Sequence, residues 1–187
     1  KDTKAPNISI NGITPMNHEV KTSFVDPGVL VSDNYWPANT VVVTKKGTVN
    51  TNVLGTYTIW YIATDPSGNK DSVSRTVTVV DRTKPVVDLL NITEVNLKRW
   101  SVYVDAPVAL VDNYNTDAQM RNSLVIVNSL PLNSEGKPWA DGTGIYSVRY
   151  KVLDLSGNES EEAVRSINVV SASSVEDVMN IDKLMSV

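Results

Sequence analysis

Hard oxygen donors gather at two corresponding places in this chain. Asp33 and Asn34 precede Asp65, Asn69 and Asp71; Asp112, Asn113 and Asp117 precede Asp154, Asn158 and Glu159. Carboxylates and amide carbonyls at the ends of loops are the donors that calcium takes, six to eight at a time. Asp33, Asp65, Asn69, Asp112, Asp154 and Asn158 are therefore candidate calcium ligands, and Asp81, between the two groups, could join either. Aspartate and asparagine at β-turns also satisfy their own backbone, and no contiguous calcium loop is written here, so turn capping stands beside the metal reading.

Four tryptophans accompany a single phenylalanine. An indole offers a flat apolar face and one donor, which suits stacking on a sugar ring or a protein partner. Trp36 and Trp139 fall in expected loops and are the candidate ligand-binding residues, with capping of a small core as the alternative role. Catalytic constellations are harder to assemble. His18 is the sole histidine and cysteine is absent, which leaves no histidine-based triad, thiolate nucleophile or sulfur-ligated metal. Glu161 and Glu162 are adjacent on an expected strand and should point to opposite faces rather than converge. The expectation is a noncatalytic protein.

The elements that hold these residues are strands. Stretches 20–25, 40–44, 57–63 and 72–80 are short, β-branched and often alternating, and turn signals such as Asp26, Pro27, Gly28 and Pro66, Ser67, Gly68 separate them. Along 57–62 the period of two puts Tyr57, Ile59 and Tyr61 on one face, assigned to the core, and leaves Trp60 facing out. Asp65 to Asn69 reads as a type I turn with Gly68 as a left-handed bulge residue, which makes the flanking strands one hairpin.

The whole pattern is written twice. Gly55, Tyr57, Tyr61, Asp65, Gly68 and Asn69 are answered by Gly144, Tyr146, Tyr150, Asp154, Gly157 and Asn158; Asp26, Asp33 and Asn34 by Asp105, Asp112 and Asn113; Asp2 and Pro6 by Asp81 and Pro85. A repeat of roughly 80 to 90 residues is the size of a domain, not of a solenoid unit. The expected division is 1–80 and 81–170, two all-β sandwiches, followed by a linker or tail at 171–187. The short join, without a glycine-serine tether, favours end-to-end stacking. The second copy is about ten residues longer across 128–143, a stretch holding Pro131, Pro138 and Trp139 that reads as a surface loop and the place for anything specific to this protein.

Composition narrows the setting. A net charge of -4 presents no cationic surface for nucleic acid. No apolar run reaches the ~18 residues that span a bilayer, so no membrane insertion is expected, and the chain reads as part of a longer polypeptide.

Val25-Asp26-Pro27-Gly28, then Asp33, Gly55, Tyr57, Tyr61, Asp65 to Asn69 and Arg75 resemble bacterial surface immunoglobulin-like domains related to hyalin repeats, across nearly all of residues 1–80. Residues 81–170 resemble the same family with Asp105-Ala106-Pro107 at the corner. The resemblance implies tandem seven-stranded Greek-key immunoglobulin-like sandwiches, extracellular or on the cell surface, serving as stalk, spacer or adhesion module toward a protein or glycan. An accessory carbohydrate-binding module of a secreted enzyme and a calcium-rigidified linker are the alternatives. Ile181 to Val187 looks like the lead-in to a type IX sorting domain, and Asp71-Ser72-Val73 resembles the O-glycosylation motif of Bacteroidetes-like bacteria.

Overall fold

The computed structural model describes residues 2–171. Apart from Ser171, the expected tail and its sorting-domain resemblance lie outside the described residues. The chain divides into two compact units, Lys1–Arg82 and Thr83–Val187.

In the first unit, β1 (Asn7–Ile10) and β3 (Val29–Ser32) form a two-stranded sheet. The facing sheet has the order β2-β6-β5-β4, from β2 (Met16–Glu19), β4 (Val42–Lys46), β5 (Gly55–Thr64) and β6 (Lys70–Val80). All pairs are antiparallel except β2 on β6. This is an immunoglobulin-like sandwich of six strands, one fewer than the resemblance implied. The strand expected at 20–25 lies earlier, at Met16–Glu19, because Lys21 takes a left-handed φ of 57° that ends extension. The strand expected at 40–44 begins at Val42, since Ala38–Thr40 form a 3-10 turn closed by Thr40 Oγ1 donating to the Pro37 carbonyl.

Alternation along β5 holds from Ile59 onward, whereas Tyr57, expected in the core, is only half-buried at the strand's start, its Oη donating to the Val53 carbonyl at 2.9 Å. Ile59, Tyr61 and Ala63 are buried with Ile8 and Val41, while Trp60 remains 49% exposed. Each fully buried aliphatic side chain contributes about 1.5–3 kcal/mol. The β5–β6 hairpin closes through Asp65 and Asn69: Asp65 N donates to the Asn69 carbonyl at 3.1 Å, and Gly68, at φ 90°, returns its N–H to the Asp65 carbonyl at 3.0 Å.

The second unit repeats this plan. β7 (Val86–Asp88) pairs with β9 (Ala109–Val111), and the larger sheet runs β10-β11-β12-β8 from β8 (Glu94–Lys98), β10 (Val125–Asn128), β11 (Gly144–Lys151) and β12 (Ala163–Val170). The only α-helix among the described residues is the single turn α1 (Asp117–Met120), held by a capping box between Thr116 and Gln119. The longer stretch 128–143 is no simple surface loop: Leu130 and Ala140 are buried in the core, and the bridges Leu132↔Pro138 and Val102↔Trp139 fold it onto the unit. Glu161 and Glu162 precede β12 instead of lying on it, and they pair with Lys84 and Arg149.

Each core also contains a charge that periodicity alone would not place there. Arg75 lies on the inward face of β6 between Val73 and Val77 and is fully buried. Its Nη atoms donate to the carbonyls of Ile13 (2.6 Å), Asn11 (2.7 Å) and Gly28 (3.0 Å), and Nε lies 3.5 Å from Asp26. Tyr61 Oη donates to the same carboxylate. In the second unit Arg165 donates to the carbonyls of Ile92 (2.7 Å) and Ala106 (2.8 Å) and contacts Asp105 at 2.5 Å, while Tyr150 and Tyr103 also donate to Asp105. A buried guanidinium is costly unless its donors find acceptors; the Nη atoms of both residues and Arg165 Nε do, while Arg75 Nε has only the charge of Asp26 beside it. Here the guanidinium staples the loops before β2 and β3, or β8 and β9, to the last strand. Burial and the bond to Asp105 push Tyr103 up to about 12 and raise Tyr150 as well.

Candidate metal centre

At one end of the first unit the chain passes three times: before β1, after β3 and in the β5–β6 turn. Each pass brings an aspartate. One carboxylate oxygen from each of Asp2, Asp33 and Asp65 lies within 4.8 Å of the others. Two oxygens on one calcium, each 2.3–2.6 Å from the ion, are separated by at most about 5 Å.

Local hydrogen bonds fix each of these residues. Asp33 Oδ1 accepts from the amides of Tyr35 (2.8 Å) and Trp36 (2.9 Å), which turns the chain after β3. Trp36 Nε1 donates to Ser67 Oγ at 3.1 Å, so this corner is tied to the β5–β6 turn. Asn69 donates through its amide (2.8 Å) and Nδ2 (2.8 Å) to the two oxygens of Asp65, and Nδ2 also reaches the Asp2 carbonyl at 3.4 Å. Asp2 Oδ1 accepts from Lys4 N at 3.1 Å, with Pro6 buried a few residues on.

Turn capping accounts for half of this chemistry and leaves the other half over. Asp2 Oδ2 and Asp33 Oδ2 are shielded from solvent and have no hydrogen-bond partner. A buried unpaired acceptor costs about 1–3 kcal/mol, more when it carries charge. Three carboxylates converging without a cation would each have to be held against mutual repulsion. Burial pushes the Asp65 carboxyl up, yet the bonds from Asn69, Ser67 and Gly68 outweigh it and hold the group below the usual carboxylate range. The donors are all hard oxygens, which fits calcium or magnesium and not a softer metal.

The second unit carries the same pair. Asp112 and Asp154 bring carboxylate oxygens within 4.8 Å of each other. Asp112 Oδ2 accepts from the amides of Tyr114 and Asn115, and its Oδ1 is buried without a partner. Asn158 donates to both oxygens of Asp154, as Asn69 does to Asp65. The position of Trp36 is taken by Asn115, whose Oδ1 accepts from Leu155 N at 3.2 Å, so a different side chain makes the same tie from corner to turn. The sequence counterpart of Asp2 is Asp81, which belongs to the first unit.

Of the candidates named from sequence, Asp33 and Asp65 come together, and Asp112 and Asp154 come together. Asn69 and Asn158 act as donors that orient the carboxylates. Asp71 caps Ser72 N, Asp117 pairs with Arg121, and Glu159 pairs with Lys151, each away from its cluster. Asp2 was missed as a ligand, although its repetition as Asp81 was visible. Trp36 is engaged with Ser67 and lies edge-on to Tyr35, whereas Trp139 packs against Trp100, with ring centroids 5.5 Å apart.

An uncharacterised 81.3 kDa protein of Acholeplasma phage L2 is 32% identical over 145 residues, which is 76% of this chain and 19% of that protein. The chain thus spans about a fifth of that relative. Similar solved structures include a lipoprotein of Bacteroides thetaiotaomicron (14% identity, 86% of this chain and 98% of that one, TM-score 0.37) and the fibronectin(III)-like modules of Clostridium thermocellum CbhA (14%, 89% and 95%, TM-score 0.36). Residues 8–79 match the model of the bacterial surface protein Ig-like domain. Over that span the first unit is similar to the bacterial surface protein Ig-like domain family.

Proposed function

We propose that this chain is a noncatalytic spacer in a bacterial cell-surface or extracellular protein, and that calcium locks the end of its first sandwich. The reading rests on the two shielded oxygens of Asp2 and Asp33 that no donor reaches. A cation held by Asp2, Asp33 and Asp65 would supply the missing partner and join three chain segments far apart in sequence. Asp112 and Asp154 offer the second unit an equivalent pair. Extracellular modules bind calcium with dissociation constants of about 10⁻⁴–10⁻³ M, suited to a surface protein.

Thermal melts of the chelator-treated protein with and without about 2 mM calcium test this. With a dissociation constant near 10⁻⁴ M, linkage adds about 1.8 kcal/mol, or roughly 10 °C for a domain of this size. Asp33→Asn keeps the Oδ1 acceptor of the turn and is expected to abolish protection of residues 2–6 and 65–69 from hydrogen exchange by calcium. Identical melts and exchange in calcium and chelator would overturn the proposal.

A further inference from the structure

We infer that Trp100, backed by Trp139 and Arg99, is a stacking platform for a pyranose ring of a glycan. Trp100 follows β8 with a φ of 72°, the left-handed region that a bulky side chain rarely adopts. A glycine or asparagine would take this conformation more easily. The turn is nonetheless held firmly: Trp100 N donates to the Ala140 carbonyl at 2.6 Å, Ala140 N returns to the Ser101 carbonyl at 2.9 Å, and Arg99 N reaches the Val170 carbonyl at 2.9 Å. Strain kept by so much scaffolding places the indole outward, where it is 55% exposed.

The ring is also fixed in orientation. The Arg99 guanidinium lies 4.1 Å from its centroid and is anchored by Nε donating to the Asp141 carbonyl at 2.8 Å. Trp139 packs against Trp100, and its own amide donates to the Pro131 carbonyl at 3.0 Å. Little side-chain freedom remains to be lost on binding. Both aromatic residues are thus positioned by the longer stretch that distinguishes the second copy from the first.

Size and surroundings select the partner. A stable protein interface needs roughly 800 Å² from each side. Trp100, with exposed Val102 and Leu132 in the neighbouring segments and the polar residues Lys98, Arg99, Ser101 and Asp141 beside it, offers far less, but it matches the apolar C–H face of a single sugar, with charged groups beside it for hydroxyls. Trp36 is committed to Ser67, and Trp60 stands alone on a strand face, so neither duplicates this arrangement. The inference is independent of calcium.

Fluorescence and calorimetric titration of the whole chain with cellohexaose, mannohexaose and N-acetylchitohexaose, each in calcium and in chelator, tests it. At least one probe is expected to bind, and Trp100→Asn, which suits the left-handed backbone, should weaken that binding at least tenfold while the melt of the second unit shifts by no more than a few degrees. Trp60→Ala should leave binding unchanged. No binding to any of the three, or binding that survives Trp100→Asn, would overturn the proposal; Arg99→Ala, expected to weaken binding several-fold, provides the second variant should the first not fold.

Discussion

Arg165→Met tests whether a buried guanidinium organises each sandwich. Methionine keeps much of the length and apolar volume but removes every donor. The carbonyls of Ile92 and Ala106 would lose bonds of 2.7 and 2.8 Å, and the Asp105 carboxylate would lose its 2.5 Å cation while Tyr103 and Tyr150 still donate to it. Breaking a buried ion pair from one side destabilises by about 3–5 kcal/mol. The Asp105 side chain is 28% exposed, so water relieves part of the stranded charge and the expectation falls near the lower bound, about 3 kcal/mol. Adding Asp105→Asn removes that charge, so the double variant should lose distinctly less than the sum of the single losses. Urea-dependent hydrogen exchange read by mass spectrometry separates the units: peptides from 144–170 should lose protection while those from 55–80 keep theirs. A loss below about 1 kcal/mol in the second unit, or strict additivity in the double variant, would refute the reasoning.

Alkaline unfolding should follow from the raised tyrosines. Because the folded Tyr103 is pushed up to about 12 while an unfolded tyrosine titrates near about 10, the second unit keeps its full stability below that lower value and loses it as pH rises toward the upper one. The denaturation midpoint of the second unit should therefore fall above about pH 10, and Tyr103→Phe, which copies Phe24 of the first unit, should reduce that fall while the raised Tyr150 keeps part of it; a midpoint that stays constant over this range would count against it. Gly47→Ala should be strongly destabilising, since the new Cβ would lie 2.3 Å from the Thr58 carbonyl oxygen at a φ of 92°. A variant with an unchanged denaturation midpoint would show that β4 yields more easily than this contact implies.

Much of the fold was legible in the residues. Alternation in 57–62 identified Ile59 and Tyr61 as core, and Asp65, Gly68 and Asn69 announced the hairpin, because both features arise within one or two turns of chain. Boundaries were less secure where a single backbone angle decided them, as at Lys21. Arg75 and Arg165 escaped notice as buried residues. A charged side chain on a strand ordinarily marks the solvent face, and only the repetition of Asp26, Tyr61 and Arg75 as Asp105, Tyr150 and Arg165 hinted at a shared cluster.

By itself, the order of residues determined the duplication, the all-β class and the acidic character of the loop ends. These depend on composition and short-range periodicity, which the chain carries wherever it folds. Tertiary structure alone decided which acids meet. Asp2 lies 31 residues from Asp33 and 63 from Asp65, and only the packing of β1, β3 and the β5–β6 turn at one end of the sandwich brings their oxygens together. It likewise decided that Trp36 is held by Ser67 while Trp100 stands exposed beside Trp139, because side chains distant in sequence meet only when sheets and loops close around a core.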